Sequence, residues 1–191
     1  GRPPLLLIHG YPTASYDWIR IWPRLAARHS LYTLDLLGFG LSDKPRRSRY
    51  PIEQQADLCT ALLGEFRVGA AHVLAHDYGD TVAQELLARH AEGRLQVASV
   101  AFLNGGLFPE THRARPIQKL LAIPVLGPLF ARAMNYEKFA AAMLSISGRH
   151  PPSREELQDL WLLLERNEGR QAMARLISYM EQRRRHRSRW V

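Results

Sequence analysis

Asp77 is the side chain of this sequence best set for covalent chemistry. It stands at the centre of Ala75-His76-Asp77-Tyr78-Gly79, with small residues two positions to either side. The apolar run His72-Val73-Leu74 precedes it, and Val82, Ala83, Leu86 and Leu87 follow at helical spacing. That order predicts a strand turning sharply into a helix, an elbow that pushes its central side chain out over the edge of a sheet. Serine usually occupies the centre of such a turn. A carboxylate held there can instead attack carbon and form a covalent ester. The alternative is a structural acid at a helix N-terminus, stabilised by the helix dipole.

The elements that must hold Asp77 in place alternate along the chain. Leu5 to Ile8 is a continuous apolar run, the pattern of a strand buried on both faces. His9-Gly10-Tyr11-Pro12 turns out of it. A helix is expected within Tyr16 to Arg28, with Trp18, Ile21, Trp22 and Leu25 on one side and Pro23 blurring its start. Leu31 to Leu34 reads as a second strand ending at Asp35, and a loop over 36–50 follows. A helix from Ile52 to Phe66 would carry Leu58, Leu62 and Phe66 in register. The elbow strand and its helix run to about His90, and Val97 to Leu103 is a further buried strand ending at Asn104-Gly105-Gly106. Such alternation implies a parallel sheet with helices on both faces. Ligands of these sheets bind beyond the carboxyl ends of the strands, where His9-Gly10, Asp35, Asp77 and Asn104 all fall.

After Asn104 the strand signal fades. Helical pieces are expected at Ile117–Leu121, Pro128–Met143, Glu155–Glu165 and Gln171–Gln182, and Ser153 with Glu156 fits a capping box before the third. The chain therefore divides into a core part, residues 1–104, and a helical cap, residues 105–191.

Composition narrows the classes. The 191 residues suit one domain, and 46% apolar with 23% charged residues are ordinary for a globular protein. The single cysteine, Cys59, excludes an internal disulfide and supports no metal cluster. No cofactor motif appears: the glycine loop after Asp35 lacks the Lys-Ser/Thr ending of a phosphate cradle. No run of apolar residues is long enough for a membrane span. A first residue other than Met, followed at once by a core strand, suggests a partial chain and leaves an upstream targeting segment open. Cysteine usage and the lack of a signal in these residues favour the cytoplasm. Net charge is +8, and residues 170–191 hold seven arginines against one acid, Glu181. A basic run of this kind can contact phosphates. Sparse aromatic interleaving and the absence of a nucleic-acid fold motif favour instead a solvated cap segment, balanced by residues beyond this chain.

Three stretches in order carry a family resemblance: His9-Gly10-Tyr11-Pro12, Asp35-Leu36-Leu37-Gly38-Phe39-Gly40-Leu41-Ser42 and His76-Asp77-Tyr78-Gly79. Together they resemble the α/β-hydrolase fold, in particular its aspartate-nucleophile branch of epoxide hydrolases and haloalkane dehalogenases. Residues 76–87, 104–113 and the Arg-rich end before Trp190 extend the resemblance, toward epoxide-hydrolase-like sequences, through the cap to Val191. The resemblance implies a three-layer α/β sheet, incomplete here because the C-terminal core strands are missing, under a helical cap. It implies a small apolar substrate, Asp77 as nucleophile, and the backbone amides of Tyr11 and Tyr78 as oxyanion donors. It also calls for phenols from the cap to protonate an opening epoxide, and Tyr136 and Tyr179 are the cap tyrosines.

The same resemblance limits what these residues are expected to do. Dehalogenases of this branch present asparagine after His-Gly and tryptophan after the nucleophile, where this chain has Tyr11 and Tyr78. Serine would be expected of a plain esterase. The triad runs nucleophile, acid, histidine along the chain. In some relatives the acid follows the strand after the elbow, and that place is Asn104, which is no carboxylate. His112, His150 and His186 lie in the cap, so neither catalytic base nor acid is found. His76 reads as a packed histidine, and His9 and Asp35 read as loop supports. The expected outcome is an enzyme lineage whose turnover these residues alone do not complete, or a non-catalytic scaffold on the same fold.

Overall fold

The computed structural model describes residues 1–191. Its centre is a four-stranded, fully parallel sheet in the order β2-β1-β3-β4, built from β1 (Pro4–Ile8), β2 (Ser30–Thr33), β3 (Ala70–His76) and β4 (Gln96–Leu103). The elbow strand β3 thus lies inside the sheet, paired with β1 on one side and β4 on the other.

Alternation along β1 sorts its side chains between two layers. Leu6 and Ile8 join Val73 and Ala75 in the main core, under α2 (Ile52–Glu65) and α3 (Tyr78–Ala91). Leu5 and Leu7 face the other way, onto Trp18 and Leu25. That second layer is thin. The single helix expected over 16–28 is a 3₁₀ turn, Ser15–Trp18, followed by the short α1 (Trp22–Ala26) with Pro23 in its first turn. Proline has no amide to continue the helix, and the break leaves Ile21 and Trp22 exposed while Trp18 is buried.

Two further expectations on burial are corrected. In α2 the buried face is Ile52, Gln55, Ala56, Cys59 and Leu63, and Phe66 is exposed. The helix packs on α3, and its buried face includes Gln55, Ala56 and Cys59, which a stripe of large apolar residues does not reveal. Strand β4 is half-exposed and not buried, because it is an edge with β3 as its one neighbour.

Beyond β4 the chain is helical: α4 (Pro116–Leu121), α5 (Leu126–Arg132), α6 (Tyr136–Ile146), α7 (Arg154–Glu165), α8 (Gly169–Leu176), α9 (Tyr179–Arg185) and α10 (Arg187–Trp190). Two predicted helices are each divided. The first breaks where the Asn135 side chain caps α6 by accepting from Lys138. The second breaks between Leu176 and Tyr179. The Ser153–Glu156 capping box is present in full. Helices α9 and α10 lie against α3, so the end of the chain returns to the elbow helix. No helix is long and apolar enough to cross a membrane.

That return changes the reading of the basic run. Its charges meet acids of this chain: Arg187 pairs with Glu110, Arg189 with Glu85 and Glu92, Arg184 and Arg185 with Glu181. Arg183 is buried.

Candidate active site

The geometry of the elbow begins with its backbone. Asp77 sits at φ 50°, ψ −105°, a conformation that non-glycine residues rarely adopt and that costs of order 1–3 kcal/mol. Two bonds hold it there: the Asp77 amide donates to the Leu103 carbonyl at the end of β4 (3.0 Å), and the Asp80 amide donates back to the Asp77 carbonyl (3.2 Å). Gly79 is required by close approach, since a Cβ at that position would lie 2.4 Å from the carbonyl oxygen of Ile8.

The Asp77 carboxylate is half-buried. Its Oδ2 accepts the Tyr11 amide at 3.0 Å, while Oδ1 has no protein hydrogen bond. The turn that carries Tyr11 is organised by Asp17, a residue that no sequence motif marks. Its Oδ2 accepts from the Gly10 amide (3.2 Å) and from Thr13 Oγ1 (2.7 Å), and lies 3.4 Å from His76 Nδ1. His76 is therefore turned toward Asp17 and Trp18. Although burial opposes its charge, the Asp17 carboxylate holds the ring's pKa above the ordinary value.

His9 and Asp35 brace the neighbouring loop. Nδ1 of His9 lies 2.9 Å from the Gly10 carbonyl and Nε2 lies 3.0 Å from the Leu36 amide. Only a neutral ring with its hydrogen on Nδ1 satisfies both, and burial lowers the pKa in the same sense. Asp35 accepts the amides of Ser15 (2.8 Å) and Leu41 (2.7 Å), closing the glycine loop onto the start of the chain.

The four tyrosines singled out from the sequence part ways. Tyr11 presents its amide to Asp77 and donates its hydroxyl to the Met173 carbonyl in α8 (3.3 Å). Tyr78 opens α3, where the first amides lack intrahelical partners. Its ring is fully buried, 5.1 Å from Phe39 and 5.0 Å from Tyr179 between centroids. Tyr179, at the start of α9, is fully buried with a hydroxyl that has no partner. Burial, and then the charge of Asp77, keep its phenol protonated well above the usual range. Tyr136 packs on Trp161 at 6.5 Å, between α6 and α7, and is not brought to the elbow.

Three side chains of this neighbourhood have no site role in the sequence reading, which sets His112 aside with the other cap histidines. Asp80 is buried beside Leu103 and Gly105, with Oδ2 unpartnered, and burial lifts its carboxyl to about 7. His112 has a buried, unpartnered Nε2; burial and then the Arg183 charge lower its pKa, and the charge of Asp77 opposes them. Arg183 is 2% exposed, bonded through Nε to Thr81 Oγ1 (2.9 Å) and through Nη1 to the Gly106 carbonyl (2.5 Å), with Nη2 free. The signal for Asp80 lay in the motif itself, one turn after Asp77. Arg183 had none, because it stands in a run that reads as solvated.

This arrangement supplies a carboxylate with one free oxygen, a backbone amide at its other oxygen, and a buried phenol nearby. Comparison with known proteins agrees in kind. The chain is 44% identical over 200 residues to the mesoderm-specific transcript homolog protein of Homo sapiens, covering all of this chain and 60% of that protein. It is 43% identical to the putative hydrolase LipZ of Mycobacterium tuberculosis, covering 98% of this chain and 66% of that one. The chain thus spans about 60% of the length of the first of these curated relatives. Among solved structures, the haloalkane dehalogenase DbeA from Bradyrhizobium elkani superposes with a TM-score of 0.77 at 26% identity, over 94% of this chain and 62% of that enzyme. The family model for the alpha/beta hydrolase fold matches residues 3–148. A parallel sheet with a strained elbow between its inner strand and helix, and a sequence match over most of its length, make this chain a member of the alpha/beta hydrolase fold family.

Proposed function

We propose that the chain works as an aspartate-nucleophile hydrolase of the epoxide-hydrolase type, with residues 105–191 as a cap over the core of residues 1–104. The observation that carries this reading is the Asp77 carboxylate, held at a strained turn with Oδ2 on the Tyr11 amide and Oδ1 unbonded. A purely structural acid at a helix start would spend its oxygens on nearby amides. Asp77 makes no such cap bond.

In the proposed reaction Oδ1 attacks an sp³ carbon of the ring. The ring C–O bond breaks, its electrons pass to the ring oxygen, and that oxygen takes the phenolic proton of Tyr179. An alkyl ester on Asp77 results. Tyr136, with its ring on Trp161, is the weaker candidate for this donor. In the second step water adds to the ester carbonyl, whose oxygen becomes an oxyanion facing the amides of Tyr11 and Tyr78. The water proton requires a base, and none of the histidines of these residues stands at a strand end after Asp77. The residues described therefore support the ester-forming step, and turnover by these residues alone is not expected.

Likeness to a solved dehalogenase favours a second reading, displacement of halide by the same carboxylate. Tyr11 and Tyr78, at the positions where that branch carries asparagine and tryptophan, weaken it; His9-Gly10-Tyr11-Pro12 fits the His-Gly-x-Pro of epoxide hydrolases, while Tyr78 departs from their usual tryptophan as well. Mass spectrometry after incubation with styrene oxide tests the proposal. One epoxide mass is expected on the peptide holding Asp77, and none in Asp77→Ala. Absence of the adduct from the parent chain, under conditions where it is folded, returns the fold to a non-catalytic scaffold.

A further inference from the structure

Three cations are buried in this molecule. Arg89 meets the carboxylates of Glu85 (2.9 Å) and Asp57 (2.7 Å), and the Lys44 ammonium rests on the carbonyls of Gly40 and Ser42. Arg183 differs from both. No carboxylate lies within ion-pair distance of it, and its Nη2 has no acceptor, although the residue is 2% exposed. A buried guanidinium without counter-charge is unfavourable unless something neutralises it. The Tyr179 ring, 4.5 Å from Cζ to centroid, offsets part of that cost, and the Tyr179 hydroxyl, which interacts with the guanidinium, brings no counter-charge. Asp80, the acid one residue before Thr81, makes no ion pair with it, and burial favours the uncharged form of its carboxyl.

A second unpartnered donor stands beside the first. His112 Nε2 is buried and bonded to nothing. The two side chains converge because Gly106 has none: a Cβ there would lie 2.3 Å from Arg183 Nη1 and 2.8 Å from His112 Nδ1. The neutral imidazole can place its hydrogen on Nε2. Tyr179 packs against Arg183 through its ring, and the charge of Asp77 reaches both His112 and Tyr179.

We propose that Arg183 and His112 form a buried receptor for a carboxylate carried by the substrate, close to its reactive carbon. A guanidinium N–H and an imidazole N–H can meet the two oxygens of one carboxylate. With that group seated, the adjoining carbon reaches toward Asp77 and the adjoining oxygen toward the Tyr179 hydroxyl. The substrate class is then an epoxide bearing an acid group next to the ring, and not a wholly apolar one. This orientation rests on Asp77 as nucleophile, but the receptor itself does not.

Binding of unreactive ligands separates the two. Butanoate and its neutral isostere butanamide are titrated into the full chain by isothermal calorimetry. Butanoate is expected to bind at least about tenfold more tightly, and Arg183→Gln to abolish that difference. Equal binding of the two ligands by the parent chain, or binding of neither, overturns the receptor without reference to any variant, so a poorly folding Arg183→Gln leaves the answer intact. Bromide binding more tightly than butanoate overturns the choice of carboxylate in favour of a halide. If butanoate binds as expected and styrene oxide leaves Asp77 unmodified, the receptor stands and the nucleophile reading fails.

Discussion

Helix α3 carries charged residues at both ends, and the ends treat them differently. Toward its C-terminus, Glu85 accepts Arg89 Nε (2.9 Å), Trp190 Nε1 (2.8 Å) and both Nε (2.7 Å) and Nη2 (3.0 Å) of Arg189. Arg89 in turn reaches Asp57 and the Glu53 carbonyl. No buried side-chain polar atom of Glu85, Arg89, Arg189 or Trp190 lacks a partner. Around the N-terminus, Asp80 Oδ2, Arg183 Nη2, His112 Nε2 and the Tyr179 hydroxyl are buried and have none. Natural interiors leave few such atoms unpaired, and each one left unpaired calls for an account. One end of the helix is finished as structure. The other is left incomplete in the way a binding site is, its missing partners to be supplied by a ligand.

The largest expected effect breaks the finished end. Replacing Glu85 by Ala removes at once the buried acceptor of Arg89 Nε, Arg189 and Trp190 Nε1, leaving Arg89 with Asp57 and the Glu53 carbonyl, and should destabilise the chain by about 3–5 kcal/mol, read from denaturant unfolding. A loss near zero would erase the contrast. The pH dependence of this cluster has a definite sign. Against the cost of burial, the donors of Arg189, Trp190 and Arg89 hold the Glu85 carboxyl down at about 2. Its contribution is therefore present above the ordinary carboxylate range and fades as pH falls from there toward 2.

Asp80 runs the other way and gives the next effect. Its carboxyl is lifted by burial to about 7, so the folded state binds more protons than the unfolded one between the usual carboxylate pKa and 7. Stability should fall as pH rises through that window, by at most a few kcal/mol. Asp80→Asn can still accept the Leu103 amide and should flatten the fall. Melting temperatures of both chains from pH 4 to 8 decide the matter, and parallel curves would show that Asp80 does not titrate there.

The smallest effect concerns Asp77 itself. Asp77→Gly relieves the strained backbone at the loss of one hydrogen bond from Tyr11, and should raise stability by about 1 kcal/mol. A gain in stability with loss of the adduct is the signature of a residue kept for chemistry. A clear destabilisation would move Asp77 to the structural side of the comparison.

Much of the fold was legible because its signals are local. The β1 run, the elbow strand and the helix after it show their periods within a dozen residues, and the small residues around Asp77 announce the turn. What stayed hidden depends on where distant segments meet. Nothing near residue 183 in the sequence tells that α9 packs on α3 and buries one arginine of a basic run while its neighbours stay exposed. Likewise Tyr179 and Tyr136 are equivalent as letters, and it takes the break between α8 and α9 to bring one of them beside Tyr78. The β4 burial was misread for a related reason: an apolar run does not say how many neighbours a strand has.

Tyr11 has a consequence of its own. A single residue touches the Asp77 carboxylate with its main chain and clasps the Met173 carbonyl of α8 with its side chain. Helix α8 and the elbow thus share one hinge pin. If α8 lifts or slides, the Met173 clasp must open or draw Tyr11 along, and the amide at Asp77 feels the pull without any relay through the sheet.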